Sequence, residues 1–198
     1  MLRSKIAYWI VKLFHSSALI LNNLLHHYIK HVCQNGGDIL EIGFGAGVTA
    51  NMIQTYNVKT HTIIERDDYF FNKLSNWAKN KPNVIVIHGD WVKDIPTDKK
   101  YDGIFIDLWN SDEDYGRKRT LCEELDNHIK PGTVFLSPTH NILDEHLYTQ
   151  KGHKYEEIKI NRPPVKSYNI LSKIIRKHSK ENEDTIRHLD SVFKVTYK

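Results

Sequence analysis

Asp38-Ile-Leu-Glu-Ile-Gly-Phe-Gly-Ala-Gly47 is the stretch that decides the fold. A run dominated by branched apolar residues passes without a break into three glycines spaced two apart. The first half has the length and composition of a buried strand. The glycines end it in a tight turn whose backbone a ligand can approach. A helix is expected directly after the turn, over Val48 to Tyr56. Strand, glycine turn and helix together open a parallel sheet. In such sheets ligands settle beyond the carboxyl ends of the strands, where the strand order reverses. The free N–H groups and positive dipole end of the following helix suit a ligand carboxylate.

Working outward, the same alternation repeats. His61-Thr-Ile-Ile-Glu65 reads as a second strand, followed by a helix over Asp67 to Lys79 with Phe70, Phe71, Leu74 and Trp77 at helical spacing. Asn83-Val-Ile-Val-Ile-His88 is a third strand and Tyr101-Asp-Gly-Ile-Phe-Ile-Asp107 a fourth. A helix over Leu121 to Ile129 and the turn Lys130-Pro-Gly132 lead to a fifth strand, Thr133 to Ser137. Tyr155–Ile160 and Ser191–Tyr197 have strand character, with a basic helix around Ile170–Lys177 between them. Strand–helix alternation with short connections predicts an α/β fold: a Rossmann-like, doubly wound, mostly parallel sheet with helices on both faces. Without a repeat or a linker, residues 1–198 read as one domain. N-terminal helices occupy 1–35, the ligand-binding core 36–140, and C-terminal strands with a basic helix 141–198.

Unusual residues cluster at the strand ends. Gly43, Phe44, Gly45 and Gly47 follow the first strand, and Glu41 sits within its last turn toward them. We expect Glu41 to hold the glycine loop by accepting backbone hydrogen bonds. Glu65 ends the second strand, where an acid is costly unless paired; there it can accept both hydroxyls of a ribose. Gly89, Asp90 and Trp91 come at the end of the third: Asp90 can accept from an adenine amino group or cap a turn or helix, and the Trp91 ring can wall the base. Asp107 ends the fourth, where reacting groups would meet, with equal claims to catalysis and to loop capping. The third glycine of the dinucleotide pattern would fall at Val48, and no Gly-Lys-Ser/Thr phosphate loop follows. A diol acid, an adenine-contacting acid and no phosphate cradle point to adenosine without a pyrophosphate.

With those residues in view, Glu41-Ile-Gly-Phe-Gly-Ala-Gly47, Ile64-Glu65 and Gly89-Asp90-Trp91 resemble the cofactor-binding series of class I methyltransferases. Leu40-Glu-Ile-Gly-Phe-Gly, His61-Thr-Ile-Ile-Glu65 and Tyr101-Asp-Gly-Ile-Phe-Ile-Asp107 are similar to guanidinoacetate and arginine N-methyltransferases, as is Arg162-Pro-Pro-Val-Lys-Ser-Tyr168. The resemblance implies S-adenosylmethionine as cofactor, held by Glu41, Gly43, Phe44, Gly45, Gly47, Glu65, Gly89, Asp90, Trp91 and Asp107. It also implies methyl transfer to a small amine or guanidino acceptor, with Asp107 as the catalytic carboxylate. Members of that family supply a second acid to the guanidino group from a segment before the first strand; here Leu19–Val32 holds none. Two rivals share the fold: an aminopropyltransferase similar to spermidine synthase, and a non-catalytic binding protein.

Composition narrows partners. At 40% hydrophobic and 26% charged residues, the chain has ordinary globular content. Polar residues interrupt the apolar-rich Leu2–Val32, so neither a membrane span nor a signal peptide is expected, though Ile6–Phe14 has the pattern of a surface-lying helix. Two distant cysteines, Cys33 and Cys122, fit a reducing, cytoplasmic setting. His27 and His31 lie four apart but lack a third ligand, so no metal is expected. Residues 151–180 hold nine Lys or Arg against Glu156 and Glu157, so +7 gathers there while the rest of the chain carries −3. That segment reads first as a solvated surface and second as an attractor of an anionic substrate or nucleic acid.

Overall fold

The computed structural model describes residues 26, 28–106, 124–137, 145–159 and 191–198. Its elements are β1 (Asp38–Ile42), α1 (Val48–Ile53), β2 (Thr60–Glu65), α2 (Asp68–Ala78), β3 (Val84–His88), α3 (Trp91–Asp94), β4 (Gly103–Ile106), β5 (Val134–Ser137), α4 (Glu145–Gln150), β6 (Lys154–Lys159) and β7 (Ser191–Thr196). Helical residues 28–33 precede β1 and 124–126 precede β5. The strands form one sheet in the order β3-β2-β1-β4-β5-β7-β6. All pairings from β3 across to β5 are parallel, while β7 runs antiparallel between β5 and β6. The expected α/β architecture is therefore present, and strand order reverses between β1 and β4.

Alternation along the central strands divides the core in two, as a sheet covered on both faces requires. Leu40, Ile42, Ile64, Ile104 and Ile106 pack on one side with Trp91, Ile95, Leu125 and Tyr148. Ile39, Phe105 and Leu136 pack on the other with Tyr28, Ile29, Val32 and Met52 from helical segments. On that second side, Ile63 meets Phe44, Ala50 and Leu74. β3 is the outer strand and only half-buried, with Ile85 exposed.

The helices start and stop for local reasons. Asp67 caps α2 by accepting from the N–H groups of Tyr69 at 2.9 Å and Phe70 at 3.1 Å. The helix expected through Tyr56 ends at Ile53, because Thr55 and Tyr56 bond back only three residues, to Met52 and Ile53. The short α3 and α4 were not expected from the sequence. The helix expected over Leu121–Ile129 is seen at 124–126, its earlier residues lying outside the described set. Ile6–Phe14, Cys122, Arg162–Tyr168 and the basic Ile170–Lys177 also lie outside it. Among the described residues no helix is long and apolar enough to cross a membrane.

At the amino ends of the strands, polar side chains set the register. Asp102 accepts from the Asp38 N–H at 2.8 Å, donates its own N–H to the Asp38 carbonyl at 2.7 Å, and pairs with Lys130. Lys99 donates to the hydroxyls of Thr60 and Thr62, both at 3.0 Å. Burial pushes the Asp38 carboxyl up, but the Thr60 hydroxyl and the ammonium groups of Lys59 and Lys99 outweigh it and hold the group below its ordinary range.

Gly103 is where the 28–33 helical segment meets the sheet. A Cβ at this position would stand 2.2 Å from the Val32 carbonyl oxygen, a backbone atom that cannot swing aside. Gly103→Ala should therefore lower unfolding stability by about 1–3 kcal/mol, the range typical of overpacking, as read from urea denaturation midpoints. An unchanged midpoint would mean that this segment is not docked as described.

Candidate functional site

Ile42 and Ile106 pair at the carboxyl ends of β1 and β4, so the glycine loop emerges at the reversal point. The Gly43 N–H continues the sheet ladder onto the Ile64 carbonyl at 2.9 Å. Gly43, Gly45 and Gly47 have φ of 89°, 50° and 74°. Gly47 is constrained twice over: its backbone is left-handed, and an added Cβ would stand 2.7 Å from the buried ring of Phe44. That ring lies 5.6 Å from the ring of Trp77 on α2. Over Gly45, by contrast, no heavy atom lies within 4 Å of an added Cβ. Bare backbone with room above it is what a close-lying ligand needs.

Glu65 holds this loop. One carboxylate oxygen accepts from the Phe44 N–H at 2.9 Å and from the Gly45 N–H at 3.5 Å. The other accepts from the Asp67 N–H at 2.9 Å. Hydrogen bonds from several amides make a nearly buried carboxylate tolerable. The sequence reading assigned loop-holding to Glu41, and here the structure corrects it. Glu41 is fully buried and turned away from the loop backbone: it accepts from the Thr49 hydroxyl and faces His61 Nε2 at 2.9 Å. Alternation opposite Leu40 and Ile42 sends Glu41 beneath α1, and its pairing with Ile63 sets it two residues deeper than Glu65.

The end of β3 lies beside Glu65. His88 pairs with Glu65 in register, and the Gly89 N–H donates to the Glu65 carbonyl at 3.1 Å. Asp90 caps α3 by accepting from the Val92 N–H at 3.0 Å. Trp91 was expected to lie open as a wall for a base. Its ring is instead 5% exposed and joins the core with Ile64, Ile95 and Tyr101. Asp107, expected to be catalytic, lies outside the described residues, and so does Trp109. Gly43, Phe44, Gly45, Gly47, Glu65 and Gly89 are thus brought together by hydrogen bonds, with Asp90 and Trp91 following directly in the chain.

Several contributors went unread in the sequence. Thr49 and His61 partner Glu41, and Gln54 reaches His61 Nδ1 at 3.2 Å. Asn51 ties α1 to the Gly47 carbonyl at 2.7 Å and accepts from Trp77 Nε1 at 2.9 Å. A buried acid between two apolar neighbours was the available signal, since it demands partners. Cys33 is no nucleophile: burial, and secondarily the Glu41 carboxylate, push its thiol up to about 12.

A 3-2-1-4-5-7-6 sheet with an antiparallel seventh strand, a glycine loop at its reversal point and an acid clamped to that loop define the class I S-adenosylmethionine-dependent methyltransferases. The open space over Gly45 and the acid beside it fit an adenosyl ligand. The family model described as guanidinoacetate N-methyltransferase matches residues 22–158, and the chain belongs to that family. Protein arginine N-methyltransferase 2 of Candida glabrata is 31% identical over 104 residues, 49% of this chain and 24% of the relative. The chain thus spans about a quarter of that relative's length. Among solved structures, precorrin-6y C5,15-methyltransferase of Geobacter metallireducens GS-15 aligns with a TM-score of 0.62 at 12% identity, covering 89% of this chain and 87% of its own. N-methyltransferase NodS of Bradyrhizobium japonicum WM9 aligns with a TM-score of 0.61 at 14% identity, covering 88% and 94%. These two structures bear on the fold alone.

Removing the Glu65 carboxylate leaves the Phe44 and Asp67 amides without their acceptor. Glu65→Ala should cost about 1–3 kcal/mol of stability by the penalty for unsatisfied buried groups, measured as a loss in thermal denaturation. No loss would mean that water replaces the carboxylate freely and that the clamp contributes nothing.

Proposed function

We propose that this protein transfers a methyl group from S-adenosylmethionine to a nitrogen of a small amine or guanidino acceptor. The observation that carries this reading is the family match over residues 22–158. Guanidinoacetate in the family's description and arginine in the relative's name both carry a guanidino group, which supports a nitrogen acceptor. We also assign the chain to the cytoplasm, on its cysteine usage.

In this reading the glycine loop is the cofactor seat. Gly43, Phe44, Gly45 and Gly47 present backbone to the amino-acid end, and Glu65 accepts from the ribose hydroxyls. A carboxylate has about four acceptor sites, and the long 3.5 Å contact from Gly45 is the one displaced at least cost. Gly89 and Asp90 border the base, with the Trp91 ring packed into the core beside them. Glu41 supports the loop from below through Thr49. When bound, the cofactor supplies an electrophilic methyl on a sulfonium.

The remaining work belongs to the chain. In methyl transfer the acceptor nitrogen would bond to the methyl as the sulfur–methyl bond breaks, leaving a neutral thioether and positive charge on nitrogen, so the chain's main tasks would be orientation and exclusion of water. Asp107, the residue after the last residue of β4, orients the acceptor and either stabilises its developing charge or takes its proton on a carboxylate oxygen. The lack of an acid in Leu19–Val32 leaves Asp107 to do this without the family's second carboxylate from that segment.

Calorimetric titration with S-adenosylmethionine and S-adenosylhomocysteine should give micromolar binding that Glu65→Ala abolishes. Incubation with guanidinoacetate, arginine and simple amines should then add one methyl mass to a nitrogen in one of these classes, and Asp107→Ala should suppress that product. Binding of neither cofactor form would sink the proposal. Turnover unchanged in Asp107→Ala would remove that residue from the chemistry, and an added aminopropyl group would favour the rival transferase.

A further inference from the structure

Glu41 and His61 are both fully buried and lie on adjacent strands. Glu41 Oε1 accepts from the hydroxyl of Thr49, the second residue of α1. Glu41 Oε2 lies 2.9 Å from His61 Nε2, and His61 Nδ1 lies 3.2 Å from the side-chain nitrogen of Gln54, just past the end of α1. An amide NH2 only donates, so Nδ1 accepts and the Nε2 N–H donates to the Glu41 carboxylate. The edge of Trp77 closes the outer side of the His61 ring, with centroids 6.4 Å apart at 87°.

This line of hydrogen bonds joins β1 and β2 to both ends of α1. A helix of six residues does not hold itself in water, so its place over the sheet comes from what it is tied to. α1 is in turn one piece with the glycine loop. The Asn51 N–H and side-chain NH2 both donate to the Gly47 carbonyl, at 3.0 and 2.7 Å. Where α1 sits therefore fixes where the loop sits.

We propose that Thr49, His61 and Gln54 are positioning residues that act through Glu41, holding α1 and the Gly43–Gly47 loop at the height at which the loop receives the cofactor. This builds on the reading of the loop as the S-adenosylmethionine seat. A merely structural network would alter stability alone, whereas a positioning network alters cofactor affinity when one donor is lost.

The test is calorimetric titration with S-adenosylhomocysteine, with thermal midpoints recorded for the same samples. Thr49→Val keeps the shape and removes the hydroxyl, and its Kd should rise about tenfold or more, since a buried acceptor is left unpaired. Thr49→Ser, which retains the hydroxyl, should restore affinity to near the wild-type value. Ile53→Val, on α1 but outside the network, should lower the midpoint without changing Kd. Should Thr49→Val fail to fold, Gln54→Leu removes the donor to His61 at a partly exposed position and should weaken binding several-fold. Variants that bind as tightly as the wild type, whatever their midpoints, would overturn the positioning role alone. A wild-type protein that binds no cofactor would overturn the proposed function, and this inference with it.

Discussion

The Glu65 carboxylate, accepting main-chain N–H groups from Phe44, Gly45 and Asp67, is the contact on which the ligand edge of this molecule depends. A loop with three residues at positive φ turns the Phe44 and Gly45 amides toward the end of β2, where the Glu65 side chain meets their need for an acceptor. An acid at the end of the neighbouring strand resolves this need and its own at once, because the same bonds that satisfy the amides make its near-burial tolerable. The connection that follows β1 and the one that follows β2 are thereby fastened to a single side chain. Gly89 then reaches the main chain of Glu65, which brings the end of β3 to the same point.

Opposite ends of the sheet are built by different means. At the amino ends, Asp38, Asp102, Lys99 and Lys130 lock β1, β2 and β4 with charged groups that keep partial contact with water. At the carboxyl ends, Glu65 is nearly buried and bonded to main-chain amides, and Asp67 and Asp90 cap the helices that follow. In the proposed reading, one end stays solvated while the other is preformed and exchanges the weak Gly45 contact for a ligand. Two short helices, α1 and α3, frame that end, and each takes its place from tertiary contacts rather than from its own length.

Much of this was readable in advance. The branched apolar runs at 38–42, 61–65 and 83–88, separated by helical spacing and closed by glycines, allow little besides a parallel sheet, and Asp67 announces the start of α2. The roles of the two acids were harder to read. Glu41 and Glu65 both stand near strand ends and on the same face, and register separates them: Glu41 pairs with Ile63, two residues deeper than Glu65, and so lies under α1 while Glu65 reaches the loop. His61 and Thr49 look unremarkable until the buried acid between them is placed. Trp91 shows the reverse error: a ring beside a strand end was read as a wall because local pattern does not reveal that Ile95 and Tyr101 enclose it. The insertion of β7 between β5 and β6 depends on pairing across residues far apart in the chain, which no local period records.

Amide hydrogen exchange, with and without S-adenosylhomocysteine, would test the clamped glycine loop as a cofactor seat most directly. The Phe44 and Asp67 amides should be protected in the free protein, because Glu65 accepts from both. With ligand, protection should extend through Gly43–Gly47 and to Gly89–Trp91. Phe44 exchanging as fast as an unstructured amide, with no change on adding ligand, would contradict both the clamp and the seat.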